Sequence, residues 1–381
     1  MSMCCRRGVK LSAALRFLRK LGLSSAAVGI ALVSHVAYAK DPDFEESHGF
    51  LRVVINGKHY RLDSYSVKPA DAKGPLPLAL ITNGTGGTSA EIRGENTAKF
   101  EPRARDLAIR GWLAVVVIRR GYGRSDGSIP PDGCKNPHVK QDLDLAADDL
   151  QAAIDVLKQR PDVDASRIVA IGGSTGGATA IALGARNPPG LVGVVSVSGG
   201  LRLNCAGWED ELLKAYKEYG ATSHVPNLWL YAKNDSYFGP DLAERLHVAF
   251  SNGGSNVDFS EVDPFNDEGH KLLIDGGMQW LGKLDDFLRK RGLPTWNYSN
   301  VSLLMGRLGL TRDESIIADY FTAPTPKAFA FSPNTQNFSY QYDGKYGLAA
   351  NRDAALAGCA KANSTDCGIV MENSWVGAGT Q

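Results

Sequence analysis

A chain of 381 residues, 43% hydrophobic and 22% charged, is long enough for one full-sized domain plus something smaller and too apolar to be disordered. Its 42 basic and 41 acidic residues nearly cancel, to a formal charge of +1. No basic stripe stands out, so nucleic acid is not an expected partner.

The first 39 residues differ from the rest. Arg6, Arg7, Lys10, Arg16, Arg19 and Lys20 precede an apolar run over 21–33, and Ala37-Tyr38-Ala39 offers small residues at a cleavage position. This reads as a secretory signal peptide over 1–39, with Arg6-Arg7 hinting at twin-arginine export. An uncleaved anchor is the alternative, but Ser34 and His35 break an already short run, so stable membrane insertion is not expected. Removing the segment takes away six basic and no acidic residues and moves the charge from +1 to −5. The expected destination is the periplasm or the exterior.

From 40 to 294 short apolar runs alternate with helical stretches, the pattern of a mostly parallel, doubly wound α/β sheet. Strands are expected at 51–56, 78–82, 113–118, 168–171, 192–197, 228–231 and 257–262. Helices are expected at 99–110, 142–158, 177–185, 240–251 and 272–290, where apolar residues recur at three- and four-residue spacing. The insertion 199–226, with Trp208, Tyr216 and Tyr219 on one helix, could form a small lid. Residues 295–325 read as a connecting segment with one helix at 313–320. The remaining 326–381 form a small α+β unit, with strands at 328–331, 338–342 and 369–371 and a helix at 351–362.

With Cys4 and Cys5 removed with the signal, Cys134, Cys205, Cys359 and Cys367 remain. An even count in an exported chain suggests disulfides, and of the three pairings we favour Cys134 with Cys205 and Cys359 with Cys367. The second pair would staple a unit too small to hold itself together by its core.

Gly172-Gly173-Ser174-Thr175-Gly176 lies between an expected strand and a helix of small residues. That is the setting of a nucleophile elbow, a turn so tight that the flanking residues must lack bulk. Gly123-Arg124-Ser125-Asp126-Gly127 fits the same pattern, but Pro130-Pro131 follow, and no helix can start there. A serine hydroxyl needs a base within hydrogen-bond reach and a carboxylate to orient that base. In the order serine, acid, histidine, each partner belongs in a loop after a later strand. Asp235 and His270 meet both conditions, ahead of Asp263 and Asp267 as acids and of His48, His59, His138, His224 and His247 as bases. Acyl transfer also calls for two N–H donors to the developing oxyanion. Thr175 follows the serine, and Thr85, in the glycine-rich Asn83-Gly84-Thr85-Gly86-Gly87, is the expected second donor. This loop lacks the Lys-Ser/Thr pair of a phosphate cradle, and no C-x-x-C spacing supports zinc. No cofactor or metal is expected.

With these motifs in order, together with Arg120-Gly121-Tyr122-Gly123-Arg124-Ser125, residues 50–292 resemble the α/β-hydrolase superfamily, and within it the dienelactone-hydrolase-like esterases and their prolyl-oligopeptidase-type relatives. Serine stands where dienelactone hydrolases proper carry cysteine, and Asn83 stands where many relatives have histidine. The cysteine-bearing tail is similar to a small paired-cysteine domain of secreted bacterial proteins. The resemblance implies an exported serine hydrolase cleaving a small-molecule carboxylic ester through an acyl-enzyme on Ser174. The rival expectations are a prolyl-type peptidase and a non-catalytic envelope-binding module on the same fold.

Overall fold

The computed structural model describes residues 44–129, 137–296, 299–342, 347–361 and 363–373. The expected signal segment and Cys134 lie outside these residues, and with Cys134 the expected Cys134–Cys205 pairing.

The chain runs through β1 (Phe44–Ile55), β2 (Lys58–Pro69), β3 (Leu76–Thr82), α1 (Ser89–Arg93), α2 (Glu101–Ile109), β4 (Leu113–Val117), α3 (Val139–Leu157), β5 (Val163–Gly173), α4 (Thr175–Gly184), β6 (Leu191–Val197), α5 (Trp208–Thr222), β7 (Asn227–Ala232), α6 (Pro240–Asn252), β8 (Val257–Val262), α7 (Leu272–Asp275) and α8 (Gly277–Arg289). There follow α9 (Ser299–Leu308), α10 (Glu314–Thr322), β9 (Lys327–Phe331), β10 (Phe338–Tyr342), α11 (Gly347–Ala360) and β11 (Gly368–Glu372).

Eight strands form one sheet in the order β1-β2-β4-β3-β5-β6-β7-β8. The first two make an antiparallel hairpin against β4, and β4 through β8 are parallel. Side chains alternate between the faces of a strand, and each strand here serves two cores. Leu78 and Leu80, Val115 and Val117, and Trp229 and Tyr231 pack with α3, α4, α5 and α6. Their neighbours Ala79 and Ile81, Ala114 and Val116, and Leu228 and Leu230 pack on the other side with α2, α7 and α8. Burial on both faces explains why these strands read as unbroken apolar runs.

Several elements differ from the expected ones. The strand expected at 51–56 is one arm of a longer hairpin, whose other arm, β2, hides polar residues among its inward positions, including the buried Asp63. The helix expected at 272–290 is two helices. A Cβ on Gly276 would meet Leu272 O at 2.7 Å, and one on Gly277 would meet Arg103 Nη1 at 2.4 Å and Pro324 Cβ at 2.6 Å, so the break falls where other chain segments press in. In the 199–226 insertion Tyr216 and Tyr219 anchor α5 in the core, with Tyr216 edge-on to Trp229, while Trp208 at its start lies edge-on to Phe238.

The other sheet has the order β10-β9-β11, all antiparallel. Phe329 and Phe331 of β9 face α9 and α10, where the sequence suggested one helix in a connection, and Ala328 and Ala330 face α11. Cys359 and Cys367 are joined by a disulfide from α11 to the start of β11.

Candidate active site

The middle of the sheet ends in a strained turn. Ser174 follows β5 with φ +55° and ψ −130°, a left-handed conformation that costs a non-glycine residue on the order of 1–3 kcal/mol. Two bonds from β6 and its exit hold it there: Ser174 N–H donates to Val197 O at 3.0 Å, and Gly200 N–H donates to Ser174 O at 3.1 Å. The flanking glycines are demanded by space. A Cβ on Gly172 would lie 2.3 Å from the Gly176 backbone, and one on Gly176 would lie 2.5 Å from Asn83 O.

Asp235 sits just past β7 and is fully buried as a side chain. It turns back on its own chain, with Oδ1 accepting from Tyr237 N–H at 2.8 Å and Phe238 N–H at 3.0 Å. Burial raises its pKa, but bonds from His270 and the Phe238 amide outweigh that and hold the carboxyl below its ordinary value. His270 lies beyond β8, in a single 3-10 turn (Gly269–Lys271) capped by Glu268, which accepts its N–H at 2.8 Å. Gly269 is needed because a Cβ there would meet Ala232 Cβ at 2.6 Å.

The two loops bring three side chains into line. His270 Nδ1 lies 3.1 and 3.2 Å from the Asp235 oxygens, and His270 Nε2 lies 2.9 Å from Ser174 Oγ. The imidazole is stacked on Tyr237, ring centres 4.4 Å apart, with Phe238 tilted against it at 5.6 Å. Such an arrangement can take the hydroxyl proton onto Nε2 while the carboxylate fixes the tautomer at Nδ1.

The competing residues are engaged elsewhere. Ser125 Oγ donates to Ile118 O at 2.6 Å and accepts from Asp63 N–H at 2.9 Å, tying β4's exit to β2. Asp263 pairs with Lys233 at 2.9 Å. His48 contacts Glu101 at 2.8 Å, and His247 stacks on Phe259.

The 83–87 loop lies against the serine, a Cβ on Gly84 falling 3.1 Å from Ser174 Cβ. Thr85 Oγ1 is 2.6 Å from the Tyr122 hydroxyl. Thr175 opens α4, where a helix leaves its first N–H groups unpaired. Three residues beside the serine escape sequence reasoning: Tyr237 under the imidazole, Tyr122 on Thr85 and the buried Arg119 behind the loop. Tyr122 belongs to a motif visible in the sequence, but the other two carry no pattern of their own.

Residues 93–238 match the family model described as serine aminopeptidase, S33. NocK of Nocardia uniformis subsp. tsuyamanensis, named as an esterase, is 32% identical over 151 residues, 39% of this chain and 40% of that protein. WAV2 of Arabidopsis thaliana, an alpha/beta hydrolase domain-containing protein, is 34% identical over 109 residues, 26% of this chain and 32% of that one. The chain thus spans less than half the length of these relatives. A solved structure of an esterase from Pyrococcus furiosus covers 64% of this chain and 92% of its own at 15% identity, with a TM-score of 0.47. The sheet order and the serine turn between β5 and α4 give this chain the α/β-hydrolase fold, and the family match spans that same turn.

Proposed function

We propose that the protein is a serine hydrolase that cleaves carboxylic esters of small molecules through an acyl-enzyme. The observation that carries this reading is the unbroken hydrogen-bonded line from Asp235 through His270 to Ser174 Oγ. Ser174 Oγ forms a bond to the ester carbonyl carbon as its proton passes to His270 Nε2. Negative charge then gathers on the carbonyl oxygen, facing the N–H groups of Thr85 and Thr175. Collapse breaks the bond to the alcohol, which leaves with the proton from His270. Water repeats the sequence on the acyl-serine and releases the acid.

Amide substrates are the second reading, favoured by the name of the matched family model. An aminopeptidase needs an acid for the substrate's amino end, and the acids beside the histidine are already spent. Glu268 accepts from Ser236 N–H at 3.2 Å, Ser236 Oγ at 2.5 Å and His270 N–H at 2.8 Å, while Asp235 serves the imidazole. This supports esters over peptides.

Export is part of the same proposal, supported by the leader-like first 39 residues and by the Cys359–Cys367 disulfide, a bond at home outside the cytosol. No helix among the described residues is long and apolar enough to cross a membrane.

A fluorophosphonate probe tests the chemistry. It should label the wild-type protein at Ser174 and leave a folded Ser174→Ala variant unlabelled. No labelling of folded wild type favours a binding module instead. A panel of short acyl esters against aminoacyl amides then separates the two hydrolytic readings, with turnover expected on the esters.

A further inference from the structure

Two residues past β4, Arg119 turns inward until only 3% of it is exposed. A buried cation without a partner is costly, and such groups are normally matched by a carboxylate. Among the described residues Arg119 makes no ion pair; Asp149, on which its charge also acts at longer range, is bonded by Arg120. Its bonds go to neutral oxygens. Arg119 Nη2 donates to Asn83 O at 2.7 Å and Gly84 O at 3.1 Å, and Nη1 donates to Thr179 Oγ1 on α4 at 3.2 Å. Its guanidinium lies 5.0 Å from the Tyr122 ring centre, and its own backbone N–H donates to Asn83 Oδ1 at 3.0 Å.

The direction of those carbonyls sets the direction of the amides. In a trans peptide the C=O and N–H point opposite ways. The carbonyls of Asn83 and Gly84 aim at Arg119, so the N–H groups of Gly84 and Thr85, in the same two peptide units, aim away from it. Gly84 is the residue pressed against Ser174.

We propose that Arg119 is a positioning residue for the oxyanion site, a buried cation that aims and polarises the Gly84 and Thr85 amides toward the oxygen that becomes negative. The proposal rests on Ser174 being the acyl-transfer nucleophile. A peptide whose carbonyl accepts a strong bond becomes a stronger donor at its N–H. Donors fixed in advance need no reorganisation when charge appears. The benefit falls on the transition state, because the ground-state carbonyl carries little charge.

The test compares full-length wild type with Arg119→Met and Arg119→Lys, using p-nitrophenyl acetate turnover and binding of phenylboronic acid, whose serine adduct is tetrahedral and anionic. Arg119→Met should lose roughly tenfold to a hundredfold in kcat, with KM within about threefold, and should lose boronate affinity by the same factor. Arg119→Lys keeps the cation but not the planar fork and should fall between. The pH profile of kcat/KM should stay in place, since Asp235 and His270 are untouched. Folded variants that bind boronate as wild type does overturn the proposal, as does a kcat loss that boronate affinity fails to follow. If Arg119→Met does not fold, the boronate affinity of Arg119→Lys decides by the same criterion. Wild type that takes no fluorophosphonate sinks the hydrolase reading, whereas labelled wild type with unaffected variants sinks only the role of Arg119.

Discussion

Asp235 shows how a single carboxylate is kept ready. Its burial favours the neutral acid, yet His270 and the Phe238 amide hold its pKa below the ordinary value. A depressed carboxylate stays ionised well into the acid range, so it is not the group that switches activity off as pH falls through neutrality. Replacing it with asparagine keeps the shape but allows the wrong imidazole tautomer. On the proposed mechanism Asp235→Asn should lower kcat by roughly 10⁴-fold and change KM little, measured on the best short-chain ester. A loss below tenfold would mean that another group orients His270. Ser174 itself pays for its exposure with the left-handed backbone, which the glycines around it permit and the Val197 and Gly200 bonds enforce.

At the scale of elements, connections matter as much as strands. Asp162, between α3 and β5, accepts from Arg160 Nε and Nη2, both at 2.9 Å, and from Lys68 Nζ at 2.9 Å. Bonds from Arg160, and then Lys68, hold its pKa well below the ordinary carboxylate value despite the opposing effect of burial. A carboxylate depressed in the folded state adds stability above its unfolded pKa of about 4, and that stability fades as pH falls toward the folded value. Asp162→Asn should therefore lower Tm by about 1–3 °C at pH 7, and the gap to wild type should begin to close below about pH 4; a gap independent of pH would refute the assignment. The elements differ in how far the sequence discloses them. Strands buried on both faces declare themselves as apolar runs, and Ser174 and Asp235 follow because each lies just after such a strand, β5 and β7; His270 follows from its order in the chain, beyond the half-buried β8. The arm β2 stays hidden because its strand pattern includes the buried, charged Asp63, which accepts from Arg124 at 2.6 and 3.0 Å. Arg119 stays hidden for a different reason: an arginine after a strand looks solvated until the 83–87 loop and α4 are seen to close over it.

Across the whole molecule, buried polar bonds fasten the smaller sheet to the larger one. Thr325, just before β9, sends its N–H and Oγ1 to Asp106 Oδ1 on α2, at 2.8 and 2.9 Å, and there α2 is itself tied to α8 by the two-pronged pair of Arg110 with Asp285 at 2.7 and 2.8 Å. Lys327, the first residue of β9, is buried and donates to the carbonyls of Tyr320, Phe321 and Ala323, tying off the end of α10. Burial drives its pKa well down. The disulfide spans eight positions, a closure worth about 2–3 kcal/mol by chain entropy. Replacing Cys359 and Cys367 together with serine should speed proteolytic cleavage within residues 327–372 while Ser174 still takes the fluorophosphonate. Unchanged cleavage would mean that the packing of α9, α10 and α11 on β9 holds the sheet without the bond.

The two bonds that grip Ser174 come from residues 197 and 200, and the histidine lies at 270. The line from Asp235 to Ser174 therefore cannot form in a growing chain until at least residue 270 has been made and folded. On the proposed mechanism an unfinished or unfolded copy carries only an ordinary, unreactive hydroxyl, harmless to the acyl groups around it.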